Sequence, residues 1–235
     1  MNLLAFDTCF AACSVAARVR LGDDERRAVR FEAMNTGHAE RLFPMIDGIL
    51  AELEIGYADL DGLAVTVGPG SFTGTRLGIA AARGLALATG LSVFGTTSLA
   101  AIAARAVRTS AWPDDPVLVC HDARRGQIYA QCVGDGVAAS GLSAPVVLGA
   151  EELLAALRPG NYVVTGTAAA IVDAAARESR RDLIDIRFHQ LPGDGLPDAE
   201  ALLDLPLETL SPPSPLYLRP PDAKPQAGHS IPRAQ

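Results

Sequence analysis

Residues 65–90 read VTVGPGSFTGTRLGIAAARGLALATG. A β-branched run, Val65–Val67, leads into a glycine-rich turn and then into a long stretch of small and apolar residues. This pattern predicts a strand over about 62–67 and a helix over 72–89. Along that helix Gly74, Gly78, Ala82 and Ala86 recur every four residues, and Ala80, Gly84 and Ala88 form a second small stripe. Beyond the first turn only Arg76 and Arg83 interrupt the apolar character. A helix lying on one sheet needs a single apolar stripe, and interior Gly78 and Gly84 cost about 1 kcal/mol each relative to alanine. Close approach of another helix along the glycine stripe would offset that cost. The helix is therefore either enclosed by its own chain or presents one face to a second chain.

The turn itself has the composition of a phosphate loop, since Gly68, Gly70 and Gly74 could leave backbone N–H groups free at a helix N-terminus. It fits neither G-x-x-x-x-G-K-[ST] nor G-x-G-x-x-G, because it has no lysine and Thr73 stands where the latter needs glycine. A tight strand-to-helix corner and an anion contact both remain open.

Upstream, residues 2–7 form an apolar strand ending in Asp7. The segments 12–19 and 25–32 continue it as an antiparallel meander around LGDDE. A helix over about 38–54 follows, its apolar side at Leu42, Ile46, Ile49, Leu50 and Leu53, with Phe43 and Met45 flanking it. Pro44 is expected to kink it or to make its first turn irregular. Downstream come a strand at 91–95 and a helix at 97–108, then a turn-rich shift at 110–116 that suggests a lobe boundary. PVLVCHDARRGQIYAQCVG repeats the opening logic of strand, acid (Asp122), turn and strand. Further strands are expected at 145–149 and 161–165, and helices at 150–157, 167–178 and 197–204. The organisation is thus mixed α/β in two duplicated halves: a first lobe over 1–109, a second over 110–210, and a proline-rich tail over 211–235, mostly extended or disordered.

The chain has 235 residues, enough for a substantial core, with 49 % hydrophobic and only 5 % aromatic residues. Its net charge of −7 argues against gripping nucleic acid alone. No signal peptide and no membrane span are expected. Cys9, Cys13, Cys120 and Cys132 have no CxxC spacing and read as reduced core thiols. His38, His121, His189 and His229 form no metal motif, so no metal site is expected. His38 is expected at an exposed first-turn position or in an interface. Ser71 in GPGSFTG is not a nucleophile elbow, so no catalytic residue is assigned. Asp7 and Asp122 could face one cleft in a two-lobed fold. Asp7, Thr8, Gly68 and Gly70 are then candidates for a vestigial nucleotide cleft.

The segments LLAFDTCFAACSVA, GHAERLFPMID, DLDGLAVTVGPGSFTGTRLGIAAARGLA, GTTSLAAIA, HDARRGQIYA and PLYLRP, in this order, resemble the TsaB (YeaZ) family. Region 135–205 matches it only loosely. The resemblance implies an actin/Hsp70/sugar-kinase-like (ASKHA) α/β fold of two lobes. It implies a non-enzymatic dimerisation and activating subunit in the cytoplasmic machinery that makes N6-threonylcarbamoyladenosine beside the tRNA anticodon. The catalytic paralogue TsaD carries an HxxxH metal motif whose positions fall here on or near Thr96 and Ala100, neither of which ligates metal. TsaD is the implied partner through the two helices at about 38–54 and 72–89, with TsaE joining as an ATPase. A homodimer through the same helices is the competing assembly. Expected interface residues are His38, Leu42, Phe43, Met45, Ile46, Gly74, Gly78, Ala82, Arg83 and Ala86. No cofactor is expected to bind tightly; ATP or ADP at the complex interface is the one candidate. tRNA is expected to bind only in the complex. An autonomous nucleotide-binding ASKHA-type enzyme is the alternative.

Overall fold

The structure, a computed structural model, describes residues 1–22, 24–110, 114–134, 142–179, 186–190, 195–206 and 212–219. It contains two five-stranded mixed sheets. In the first, β1 (Leu3–Asp7), β2 (Ala12–Leu21), β3 (Asp24–Ala33), β4 (Gly62–Thr66) and β5 (Ser92–Thr96) lie in the order β3-β2-β1-β4-β5. Strand β1 pairs antiparallel with β2 and parallel with β4, and β5 continues parallel. In the second sheet β6 (Val117–Arg124), β7 (Gln127–Val133), β8 (Val146–Leu148), β9 (Gly160–Thr165) and β10 (Ile186–Gln190) take the order β10-β9-β6-β7-β8. Strand β6 plays the part of β1, with β7 antiparallel on one side and β9 parallel on the other. The two halves therefore share one topology, and the fold is the ASKHA α/β arrangement of two lobes.

Side-chain alternation explains the layers. Leu4 and Phe6 on β1 and Leu63 and Val65 on β4 face one core, which they share with helices α1 (His38–Leu53) and α2 (Phe72–Thr89). The intervening Leu3, Ala5 and Ala64 face the opposite side. In the second sheet Leu118 and Cys120 face α4 (Ala150–Ala156) and α5 (Ala169–Glu178), while Val117 and Val119 face α3 (Ser98–Thr109).

Helices α3 and α6 (Ala199–Leu202) lie between the sheets, and they exchange lobes. Helix α3 follows the first sheet in sequence but buries Leu99, Ile102, Ala103 and Ala106 against the second. Helix α6 comes after the second sheet yet packs Ala199 and Leu202 on Leu3, Ala5, Ala16 and Ala64 of the first. Ala5, Ala16 and Ala64 on the sheet and Ala199 on the helix let this helix come close. The return is fixed by Arg18 donating to the Leu203 carbonyl at 2.7 Å and by Arg27 gripping both oxygens of Asp204 at 3.0 and 2.7 Å. The stretch around 199–205, placed by sequence in the second lobe, thus completes the core of the first.

Three local expectations change. Helix α1 begins at His38 and runs on through Pro44, so its first turn is regular. Strand β10 was not anticipated. Residues 212–219 have no helix or strand but form a docked strap, described below, whereas 220–235 of the expected tail lie outside the described residues.

Candidate functional site

The glycine-rich turn is tight because the chain packs against itself there. Ser71 caps α2 by accepting from the Gly74 N–H at 2.9 Å, and its own N–H donates to the Cys9 carbonyl at 2.7 Å. A Cβ on Gly74 would lie 2.7 Å from Ser71 Oγ and closer still to the Thr8 carbonyl oxygen. A Cβ on Gly70 would lie 2.8 Å from Cys9 Cβ, and one on Gly78 would lie 2.9 Å from Thr8 Oγ1. Thr8 donates to the Gly74 carbonyl at 2.7 Å, locking this contact. Gly68, at φ 102°, faces the backbone of Leu216, whose oxygen would sit 2.9 Å from an added Cβ.

The expected nucleotide cleft of Asp7, Thr8, Gly68 and Gly70 is consequently not an open surface. Asp7 and Thr8 are buried, and of the four residues only Gly70 borders the cleft between the lobes. The Asp7 carboxylate accepts from Thr66 Oγ1 and, at 3.3 Å, from the Cys9 N–H. Burial still outweighs those bonds and raises its pKa to about 6. Asp122 is exposed on the cleft wall, so the two acids do not face one another across an opening. Burial likewise raises the Cys9 thiol, whose sulfur accepts from Thr75 Oγ1 at 3.6 Å. All four cysteines are buried and none is in a disulfide, in keeping with the reading as reduced core thiols.

The expected interface residues divide. Leu42, Met45, Ile46, Gly74, Gly78 and Ala82 are covered by their own sheet, because the regular apolar stripe of each helix serves the first lobe. Ala86 is half-buried on the same core. His38 is half-buried on the cleft side, its Nε2 3.0 Å from the Phe10 carbonyl oxygen. Phe43 (40 % exposed) and Arg83 remain at the surface. The outward face of α2 is instead Ala80, Gly84, Leu87 and Ala88, with Leu87 90 % exposed. On α1 the exposed apolar positions are Ala39, Phe43, Pro44, Gly48 and Ala51. A Cβ added to Gly48 or Gly84 would meet nothing within 4 Å. The sequence shows both small stripes of α2; only the packing reveals that 74–78–82 faces in and 80–84–88 faces out.

The cleft between the lobes has a volume of about 580 Å³ and lies among the β1–β2 turn, the start of α2 and the β6–β7 hairpin. Phe10 and His121 stack on its wall with ring centroids 3.7 Å apart. His121 is only 6 % exposed, and burial lowers its pKa to about 4. The strap over 212–219 runs from α2 to this cleft. Arg83 donates to the Pro213 carbonyl at 2.7 Å, the Leu216 N–H donates to the Val67 carbonyl at 2.8 Å, and Arg76 donates to the Tyr217 hydroxyl at 2.7 Å. Phe72 and Tyr217 stack at 5.7 Å. Arg219 then crosses to the second lobe and donates to the Ala123 carbonyl at 2.6 Å. The two arginines that interrupt α2 thus hold the strap.

A family model described as TsaD, tRNA N6-adenosine threonylcarbamoyltransferase, matches residues 31–172. The tRNA threonylcarbamoyladenosine biosynthesis protein TsaB of Haemophilus influenzae is 46 % identical over 78 residues, 33 % of this chain and 31 % of that protein. The solved structure of YeaZ from Pseudomonas aeruginosa is 30 % identical with a TM-score of 0.68, covering 86 % of this chain and 88 % of that one. The chain belongs to the TsaB (YeaZ) family. A second Pseudomonas aeruginosa structure, of an uncharacterized protein with similarity to peptidase YeaZ, superposes with a TM-score of 0.73 at 29 % identity, over 93 % of this chain and 99 % of that one. The match to Haemophilus influenzae TsaB therefore spans about a third of that relative, while the match to the YeaZ structures spans nearly the whole fold. Among the described residues no group of three or more His, Cys, Asp or Glu is placed to hold a metal, and no helix is long and apolar enough to cross a membrane.

Proposed function

We propose that this chain is the non-catalytic, partner-binding subunit of a complex that forms N6-threonylcarbamoyladenosine in tRNA, and that it docks on a TsaD partner through the outward faces of α1 and α2. The observation that carries this reading is the pair of exposed mid-helix glycines. Gly48 and Gly84 each cost about 1 kcal/mol against alanine, yet no described residue lies within 4 Å of a Cβ added at either one. A second backbone coming close would use that space. Leu87 and Phe43 supply apolar contact beside it. The biosynthetic role named for the TsaB relative supports the choice of complex.

The non-catalytic part of the reading is supported by Thr96, which ends β5, and Ala100, within α3, at the positions that the resemblance assigns to metal ligands. TsaE, and ATP or ADP at the subunit interface, complete the proposed assembly. tRNA binds it only as a whole, in the cytoplasm. The alternative of an autonomous nucleotide enzyme draws no support from Asp7, Thr8 or Gly68, which are engaged in internal packing.

Co-purification with the TsaD of the same source tests the proposal. A stable 1:1 complex is expected, lost on Gly84→Arg or Leu87→Glu while the variant alone keeps its helical signal and melting temperature. Undiminished complex formation by both variants, or a homodimer that TsaD does not displace, would refute it.

A further inference from the structure

Residues 212–219 carry no helix or strand, yet both lobes hold them. Pro212, Pro213 and Pro215 each fix φ, so this strap is a stiff spacer and not a slack one. The first lobe holds it through Arg83 at the Pro213 carbonyl, the Val67 carbonyl at the Leu216 N–H, and Arg76 at the Tyr217 hydroxyl. The Arg76 guanidinium also lies 3.6 Å over the Phe72 ring, on which Tyr217 stacks. Successive residues of a helix turn by about 100°, which puts Arg76, Arg83 and Leu87 within about 40° of one another around α2. Both arginines that hold the strap therefore lie on the stripe that carries Leu87, and all three are exposed.

The hold on the second lobe falls at a break in its ladder. Strands β6 and β7 pair Asp122 with Ile128 and Arg124 with Gln127, so Ala123 is the skipped residue of a bulge. Ala123 is buried, and a buried carbonyl outside the ladder needs a donor. Arg219 supplies it at 2.6 Å. Just beyond the bulge Arg124, Arg125 and Gly126 have φ values of 64°, 57° and 73°, in the left-handed region. That backbone is strained for residues with a Cβ, and a strained turn depends on the contacts around it. Across the cleft the lobes also meet in the Phe10–His121 stack, on the same strand β6. The strap thus ties the outward side of α2 to the bulged end of the β6–β7 hairpin.

We propose that the strap is a mechanical link between the outward face of α2 and the second lobe, so that occupation of that face by a TsaD partner and the setting of the β6–β7 hairpin depend on each other. A chain seated on Leu87 covers Arg76 and Arg83 in the positions that hold the strap. A strap set free has to be ordered again before such a chain can seat, which lowers its affinity. Coupling of this kind is reciprocal, so docking on α2 steadies the hairpin by the same factor. The identity of the partner rests on the docking reading above, whereas the link from α2 to the hairpin lies wholly within this chain.

Amide hydrogen exchange and TsaD capture, both on the full chain, test the two ends of the link. Arg76→Gln, in the first lobe, should speed exchange over residues 122–128 of the second at least about threefold, where a purely local role would alter only α2 and the strap. Arg219→Gln, at the cleft, should weaken capture of TsaD at least about fivefold. Arg219→Lys, which can still donate to Ala123, should restore most of that loss, which separates a lost link from lost folding. Arg177→Gln, exposed on α5, is the control and should match the starting protein in both assays. Unchanged exchange over 122–128 in Arg76→Gln overturns the link. Capture of Arg219→Gln at the starting affinity, or an equal loss in Arg177→Gln, overturns the coupling while leaving the docking reading in place. A starting protein that TsaD does not capture overturns the docking reading and the coupling together, and the exchange result still decides the link.

Discussion

Replacing Gly74 and Gly84 with alanine, one at a time, separates the two faces of α2. At Gly84 an added methyl meets nothing within 4 Å, so Gly84→Ala should gain the helix propensity of alanine, about 1 kcal/mol. At Gly74 the methyl would press on Ser71 Oγ at 2.7 Å and more closely on the Thr8 carbonyl. Neither can withdraw freely: Ser71 Oγ caps the helix, and the Thr8 carbonyl is main chain whose residue is bonded back to Gly74. Overpacking of this kind costs about 1–3 kcal/mol or more. The two variants should therefore differ by roughly 3 kcal/mol. For a chain of this size that corresponds to about 6–12 °C in melting temperature. Urea unfolding followed by circular dichroism measures the difference directly. If α2 docks as proposed, Gly84→Ala should also weaken capture of TsaD despite its greater stability, since the methyl would fill the space a partner backbone uses. Equal stability of the two variants would refute the assignment of inner and outer faces.

Two further outcomes follow from buried groups and from the strap. Asp7, raised from 3.8 to about 6, favours the folded state below pH 4 and loses that contribution as pH rises through about 6, a change of about 3 kcal/mol at 1.36 kcal/mol per pH unit. Asp7→Asn should remove this part of the slope, and stability profiles of both proteins between pH 4 and 7.5 that run parallel would contradict it. His121, lowered to about 4, acts in the opposite sense: its contribution is complete above pH 6.5 and is lost on acidification towards 4, so His121→Phe should flatten the acid limb. For the strap, Tyr217→Ala removes both the ring stack and the Arg76 hydrogen bond, and limited proteolysis should then cut within 212–219 at least several-fold faster; unchanged cutting would show that the remaining contacts suffice.

Much of the fold was legible because its strands and helices carry clear periods. The helix expected over 72–89 coincides with α2, and the strand–acid–turn–strand units at Asp7 and Asp122 mark the duplicated halves. What sequence could not supply was direction. Both stripes of α2 are built of small residues, and which one faces Thr8 depends on a turn nearly seventy positions upstream. The same limit applies to Asp7, whose hydrogen bonds come from Thr66 and from its own turn. Gly48 has no periodic signature, being a lone glycine amid charged and apolar neighbours. The strap was read as a tail because backbone-to-backbone docking, as between Leu216 and Val67, leaves little mark on composition. The HDARRG turn gives no sequence sign of its left-handed backbone at Arg124 and Arg125, because arginine is not a residue that favours it.

The crossing of α3 and α6 has a consequence for how this molecule can be divided. A fragment ended near residue 110 would keep a helix whose greasy side, Leu99 and Ile102, belongs to the missing half, and would lack the helix that seals Leu3 and Ala64. The complementary fragment would suffer the mirror-image defect. Each half holds the other's lid, so neither half on its own closes its core.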